Sequence, residues 1–287
     1  MTFEDYLLYL FYLIDTELEA MKTTELPQLR SRGPRPLLYD SEVITRELAG
    51  EFLGLDTDKG IYRFFRRYHR GEFPALARVD RTTFVRQAAN LWRVKQLLHE
   101  RFLRRLPLAD AVDGQTLWLF DSFPLRVCRY KRAPAHKLFR GLAAYGHDPT
   151  GEQCFYGFRV HLRTSDRGFC AQATLAPGNV SDWPLVQELL PAEGGVGLGD
   201  RNYWNPKDEP TLRRQGLLLL APFRKESSDP WPQRSRLLGR LRQIIEPVIG
   251  QLATRFHCQR TWARDLWHLC ARLGRKLLSH TAAVLLN

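Results

Sequence analysis

Four bulky apolar residues stand together in Thr116-Leu117-Trp118-Leu119-Phe120-Asp121-Ser122, and an acid closes the run. So short an apolar run, preceded by the turn pair Asp113-Gly114, predicts a strand buried on both faces. A carboxylate at the end of such a strand is costly to bury unless a cation meets it, which singles out Asp121. Similar short runs follow at Phe155–Leu162, Phe169–Ala176, Val196–Asp200 and Leu217–Ala221. The turns Asp148-Pro149-Thr150-Gly151 and Asp166-Arg167-Gly168 make the first three strands an antiparallel meander. Short helices, Asp182–Leu190 behind a Ser181 cap and about Lys207–Gln215, flank the fourth strand. The order predicts an α/β domain: a mixed five-stranded sheet flanked by helices.

The chain before residue 109 reads as helical throughout. Thr2-Phe3-Glu4-Asp5 resembles a capping box, and the apolar helix behind it, through Leu18, suits packing or dimerisation. Arg30-Ser31-Arg32-Gly33-Pro34-Arg35-Pro36 forbids a helix and is cationic, so it reads as a solvated linker or as an arm along a phosphate backbone. Asp40 caps a helix that Gly54 stops; Asp56-Thr57-Asp58 starts another, ending at Gly71; Asp80 caps a long one from Arg81 to Arg105. The second of these interleaves Arg63, Arg66 and Arg67 with aromatic residues, as backbone contact plus stacking requires. Three helices with tight connections have a helix-turn-helix shape. The expected division is therefore 1–108, helical and DNA-binding, and 109–287, the sheet with two closing helical stretches, Arg234–Phe256 and Thr261–Leu286.

A net charge of +12 favours a polyanionic partner, nucleic acid before anionic membrane. The loop after the first strand, with Arg129, Lys131, Arg132, His136, Lys137 and Arg140, concentrates part of it. Five cysteines without a Cys-x-x-Cys pair read as reduced thiols in a cytosolic protein. The most apolar stretch, Tyr6–Ile14, is too short to span a membrane, and the acids before it exclude a signal peptide. No Walker loop or Gly-x-Gly-x-x-Gly occurs, which argues against a nucleotide cofactor, and His257, Cys258, His268 and Cys270 fit no common zinc spacing.

Asp200 ends a second apolar strand, so parallel neighbours ending at one edge would bring it beside Asp121. Gly197 and Gly199 leave room there for a backbone, an ion or a substrate. Glu246, on the next helical segment, is the third candidate acid. Three carboxylates in one place repel one another, and two Mg²⁺ ions relieve that. Such a pair, about 3.5–4 Å apart, polarises the attacking oxygen and stabilises the leaving oxygen of an in-line displacement. His161, in a strand, suits a place behind the acids, against a DNA strand, or in the core.

The series Phe120-Asp121-Ser122, Tyr156-Gly157-Phe158-Arg159-Val160-His161-Leu162, Gly199-Asp200-Arg201-Asn202-Tyr203 and Arg242-Gln243-Ile244-Ile245-Glu246 resembles bacterial insertion-sequence transposases of the DDE class, in the family's order. The resemblance runs from the Asp40 helix to the end and implies a ribonuclease-H-like catalytic core. It makes Asp121, Asp200 and Glu246 the catalytic, metal-holding acids. Arg242 becomes a contact to DNA phosphate, with Arg201, Arg159, Lys131, Arg132 and Lys137 lining the DNA path. Two Mg²⁺ ions, for which Mn²⁺ can substitute, would be the cofactor. Double-stranded DNA, as terminal inverted repeats and target, would be the partner, bound by a homodimer or larger synaptic assembly in the bacterial cytoplasm. The rivals are a silent DNA-binding derivative and a nuclease without strand transfer. The chain departs from related families at Gly239 and Ala253, where a Tyr and a Lys are usual, and Pro247 follows Glu246 directly.

Overall fold

The computed structural model describes residues 2–25, 35–106, 116–148, 153–223, 229–230 and 232–286. The Arg30–Pro34 part of the expected Arg30–Pro36 arm, the turn at Asp113-Gly114 and the Pro149–Gly151 part of the next turn lie outside the described residues. The chain divides into two compact units, 1–106 with 254–287, and 107–253.

The first unit is all helical. Thr2 and Asp5 cap α1 (Phe3–Thr24) reciprocally, each side chain accepting from the other's amide. Leu7, Leu10, Ile14, Leu18 and Met21, at helical spacing, form its buried stripe. In α2 (Asp40–Phe52), the N-cap is Tyr39 rather than Asp40, and the Glu42 carboxylate accepts the Tyr39 amide. Thr57 caps α3 (Asp58–Tyr68) through the Gly60 amide. The long helix expected after Asp80 is two, α4 (Arg81–Asn90) and α5 (Trp92–Arg105). Near the break, the Ala88 carbonyl accepts from the buried ammonium of Lys95 at 3.0 Å.

The last helix, α10 (Leu266–Leu286), starts five residues later than expected, where Asp265 accepts the His268 amide. It packs in this helical unit, not with the sheet as the division at 108/109 placed it. Leu278 and Ala282 join that unit's apolar core, and buried ion pairs fix the helix there. Arg275, fully buried, meets Glu51 at 2.7 Å, Asp58 at 2.6 Å and Glu47 at 3.3 Å. Lys276 meets Glu51 at 2.8 Å, and Lys95 meets Glu47 at 2.9 Å.

In the second unit, β1 (Leu117–Arg129) is central. It pairs antiparallel with β3 (Gln153–Ser165) and parallel with β5 (Gly195–Leu198), which pairs parallel with β6 (Leu217–Leu220). The far edge of β3 carries β4 (Cys170–Pro177) along one half and β2 (Ala144–Asp148) along the other. The sheet therefore has six strands, with the ribonuclease-H-like arrangement of a mixed sheet flanked by helices. The extra strand, β2, falls within the stretch expected to be loop, because a hairpin partner on β3 pairs its backbone.

Pleating sends alternate residues of β1 to opposite faces. Trp118 and Phe120 pack with Val186, Leu189, Tyr203, Leu212, Leu217 and Leu219. That face is covered by the short α6 (Asp182–Leu185) and by α7 (Glu209–Arg214). Leu119 turns the other way and packs with Leu198, Leu238 and Ile245, from α8 (Pro232–Arg242) and α9 (Ile245–Thr254). Among the described residues no helix is long and apolar enough to cross a membrane.

Candidate functional site

Leu119 pairs with Leu198 in the parallel β1–β5 register, so Asp121 and Asp200 follow two residues on, on the same face. One Asp121 oxygen accepts the Ser122 amide at 2.8 Å; the other accepts Arg242 Nη1 of α8, also at 2.8 Å. Asp200 caps a 3₁₀ turn, Arg201–Tyr203, its oxygens accepting the Asn202 amide at 2.8 Å and side-chain Nδ2 at 3.1 Å. Burial pushes the Asp121 carboxyl up to about 6, Arg242 and the Ser122 amide pull against it, and the charges of Asp200 and Asp182 add to the rise. Burial raises Asp200 too, opposed by the Asn202 amide.

The space beside Gly197 and Gly199 is not open to an ion or substrate, as the sequence suggested. A Cβ at Gly197 would strike Phe120 at 2.8 Å, and one at Gly199 would strike the Tyr203 ring at 2.5 Å. Both glycines admit the protein's own aromatics under the strand. Tyr203 is fully buried and its phenol is raised well above its usual range, by burial and then by Asp182, Asp121 and Asp200.

Glu246 lies in the first turn of α9, exposed. The residue before it, Ile245, is the buried anchor on Leu119 and Leu198; a burial of that size is worth about 2 kcal/mol. Neighbours on a helix point about 100° apart, so seating Ile245 turns Glu246 away. Among the described residues no hydrogen bond or ion pair ties Glu246 to either aspartate. Nor are any three His, Cys, Asp or Glu side chains among them grouped to hold a metal.

A third acid does stand close. Asp182, at the start of α6 and buried, accepts Ser122 Oγ at 2.7 Å. His161, opposite Ser122 across β1–β3, brings Nδ1 to 3.1 Å of the same oxygen, too oblique for an aligned hydrogen bond. Arg159 Nη1 donates to Ser122 Oγ at 3.1 Å. In the sequence Asp182 is only the first residue of a helix behind the Ser181 cap, which an acid favours for helix reasons alone. The signal that could have found it is the cross-strand pair of Ser122 and His161, visible only once the register is known.

Lys131, Arg132, Lys137 and Arg201 are exposed, while Arg159 is half-buried, its Nη2 donating to the His147 carbonyl at 2.6 Å. In the helical unit, Arg63 and Arg67 are exposed on α3, and Arg66 and Arg67 lie over the Tyr62 and Tyr68 rings at 5.6 and 5.3 Å.

Carboxylates at neighbouring strand ends, one of them bearing a guanidinium, offer hard oxygen ligands to a divalent ion and a cation to a phosphate. In that donor set the Arg242 guanidinium holds, at Asp121, the place a metal cation would take. Comparison with curated proteins and with solved structures found no match. The family model described as "Transposase DDE domain" matches residues 112–266, a span that holds Asp121, Asp200, Arg242 and Glu246. With more than half of its 287 residues in that match, the chain belongs to the transposase DDE-domain family.

Proposed function

We propose that the protein is a Mg²⁺-dependent DNA transposase. It cuts at the terminal inverted repeats of an insertion sequence and joins the freed ends to target DNA. The observation that carries this reading is the placement of Asp121 and Asp200 two residues beyond the last pair, Leu119 and Leu198, of parallel β1 and β5, with Arg242 on Asp121. Mg²⁺ held by the two aspartates supplies polarisation of the attacking oxygen and charge relief at the leaving oxygen. The protein's own work is positioning. Asp121 and Asp200 fix the ligand oxygens, and Arg242 neutralises Asp121 until a phosphate draws the guanidinium off. Glu246 takes the third place by family resemblance; the Gln243-Ile244 break between α8 and α9 is the joint at which its side chain would swing to the pair.

Arg159, Arg201, Lys131, Arg132 and Lys137 follow the DNA backbone on the sheet unit, and Arg63, Arg66 and Arg67 do so on α3. Synapsis of two ends calls for a homodimer or larger assembly, in the cytoplasm with the nucleoid. The net charge of +12 makes DNA binding fall steeply with salt.

The test is a strand-transfer assay on labelled duplexes carrying the element ends, in Mg²⁺ and in Mn²⁺. Cleavage and joining are expected. Asp200→Asn should lower both by roughly a thousandfold or more while DNA binding persists, and Glu246→Gln should do the same. Cleavage without joining would make the protein a nuclease. Binding without either would make it a silent derivative, the reading favoured by the outward Glu246.

A further inference from the structure

We propose that Asp182 is a positioning residue for the aspartate pair, acting on Asp121 through Ser122 from the opposite face of the sheet. This rests on the reading of Asp121 and Asp200 as metal ligands. Adjacent residues of a strand point to opposite faces, so Ser122 turns toward α6 while Asp121 turns toward α8. The Ser122 hydroxyl has both roles filled: it donates to Asp182 and accepts from Arg159. Holding the Ser122 side chain fixes the residue's backbone, whose amide donates to Asp121 Oδ1 at 2.8 Å. The polar chain thus runs Asp182, Ser122 hydroxyl, Ser122 amide, Asp121 carboxylate. It leaves one Asp121 oxygen oriented by the backbone and the other, now on Arg242, as the exchangeable one.

Asp182 is itself over-determined. It is buried, His161 backs the same oxygen that Ser122 uses, and His161 is fully buried. A plain helix-start acid needs none of this. Asp182 opens α6, yet its side chain meets Ser122 of β1 and His161 of β3. Groups that orient a metal ligand from behind are worth about ten- to a hundredfold in metal affinity when removed.

Mn²⁺ binding to the full-length protein, without DNA, reads this directly by calorimetry or electron paramagnetic resonance. Asp182→Ala is expected to weaken Mn²⁺ binding on the order of tenfold. Asp182→Asn, which keeps an oxygen for Ser122, should recover most of that loss. Ser122→Ala deletes only the hydroxyl; it should match Asp182→Ala, and the double variant should be no worse than either. If Asp182→Ala does not fold, Ser122→Ala decides alone. Wild-type Mn²⁺ affinity in Ser122→Ala, or losses that simply add, overturns the proposal. Asp121→Asn separates the two levels. If wild type binds Mn²⁺ and Asp121→Asn does not, the metal reading stands whatever Asp182 does. If Asp121→Asn binds as wild type, the metal reading fails and this inference goes with it.

Discussion

The buried acids of the helical unit and the two strand-end aspartates of the sheet unit are treated in opposite ways. In the helical unit, Glu47, Glu51 and Asp58 are met by Lys95, Arg272, Arg275 and Lys276. Burial alone would raise Asp58, but Arg275 and Arg272 outweigh it and hold the carboxyl at about 2. In the sheet unit, Asp121 and Asp200 have one guanidinium between them, and both are raised. Asp121 and Asp200 are only half-buried, less covered than Glu47, Glu51 and Asp58, so the supply of countercharge is what separates the two places. Where an acid only holds helices together, the chain brings its own cations. At the ends of β1 and β5 the chain leaves the two acids short of positive charge, as at sites where a carboxylate has work other than holding the fold.

The comparison can be broken most severely in the helical unit. Arg275→Ala leaves Glu47, Glu51 and Asp58 facing a gap and should cost about 3–5 kcal/mol, read as a drop in urea midpoint at unchanged slope. A loss under 1 kcal/mol would mean the network is solvated and the contrast is false.

A smaller effect of opposite sign is expected at the sheet. The folded Asp121 carboxyl, at about 6, lies above its unfolded value, so its ionisation costs stability progressively as pH rises from about 4 past 6. Asp121→Asn removes that cost. It should stabilise by about 1–2 kcal/mol at pH 8, with the gain gone near pH 4, even as cleavage is lost. Unfolding curves at the two pH values check this, and a destabilised variant at pH 8 would show the acid to be structurally paired.

The smallest expected effect is at Arg242. Replacing it by Gln at pH 8 removes the cation that competes for Asp121, so Mn²⁺ binding without DNA should tighten by a few-fold, under about 1 kcal/mol. Weaker binding in that variant would make Arg242 a support for the metal rather than its stand-in.

Legibility followed the length scale of each signal. The β1, β3, β4, β5 and β6 strands could be read because each is an apolar run between turn residues. Ala144-Tyr145-Gly146-His147-Asp148 carries no such run, and β2 exists through pairing with β3. The docking of α10 has no local signal, because it is tied to buried cations whose partners lie far off in sequence, such as Arg275 with Glu51. Asp121 and Asp200 could be singled out as strand-end acids. Asp182 could not, since its partners Ser122 and His161 are about 60 and 20 residues away.

What the amino-acid sequence determined unaided is the class of fold, the strand ends that bear acids, and the excess of positive charge. Those are local or additive properties, carried by runs of a few residues and by composition. Tertiary structure alone decided that Arg242 sits on Asp121, that Ile245 and not Glu246 is driven into the apolar face, and that Asp182 reaches Ser122 from behind. Each of these is a contact between distant segments, and its geometry depends on strand register and helix rotation, which packing sets.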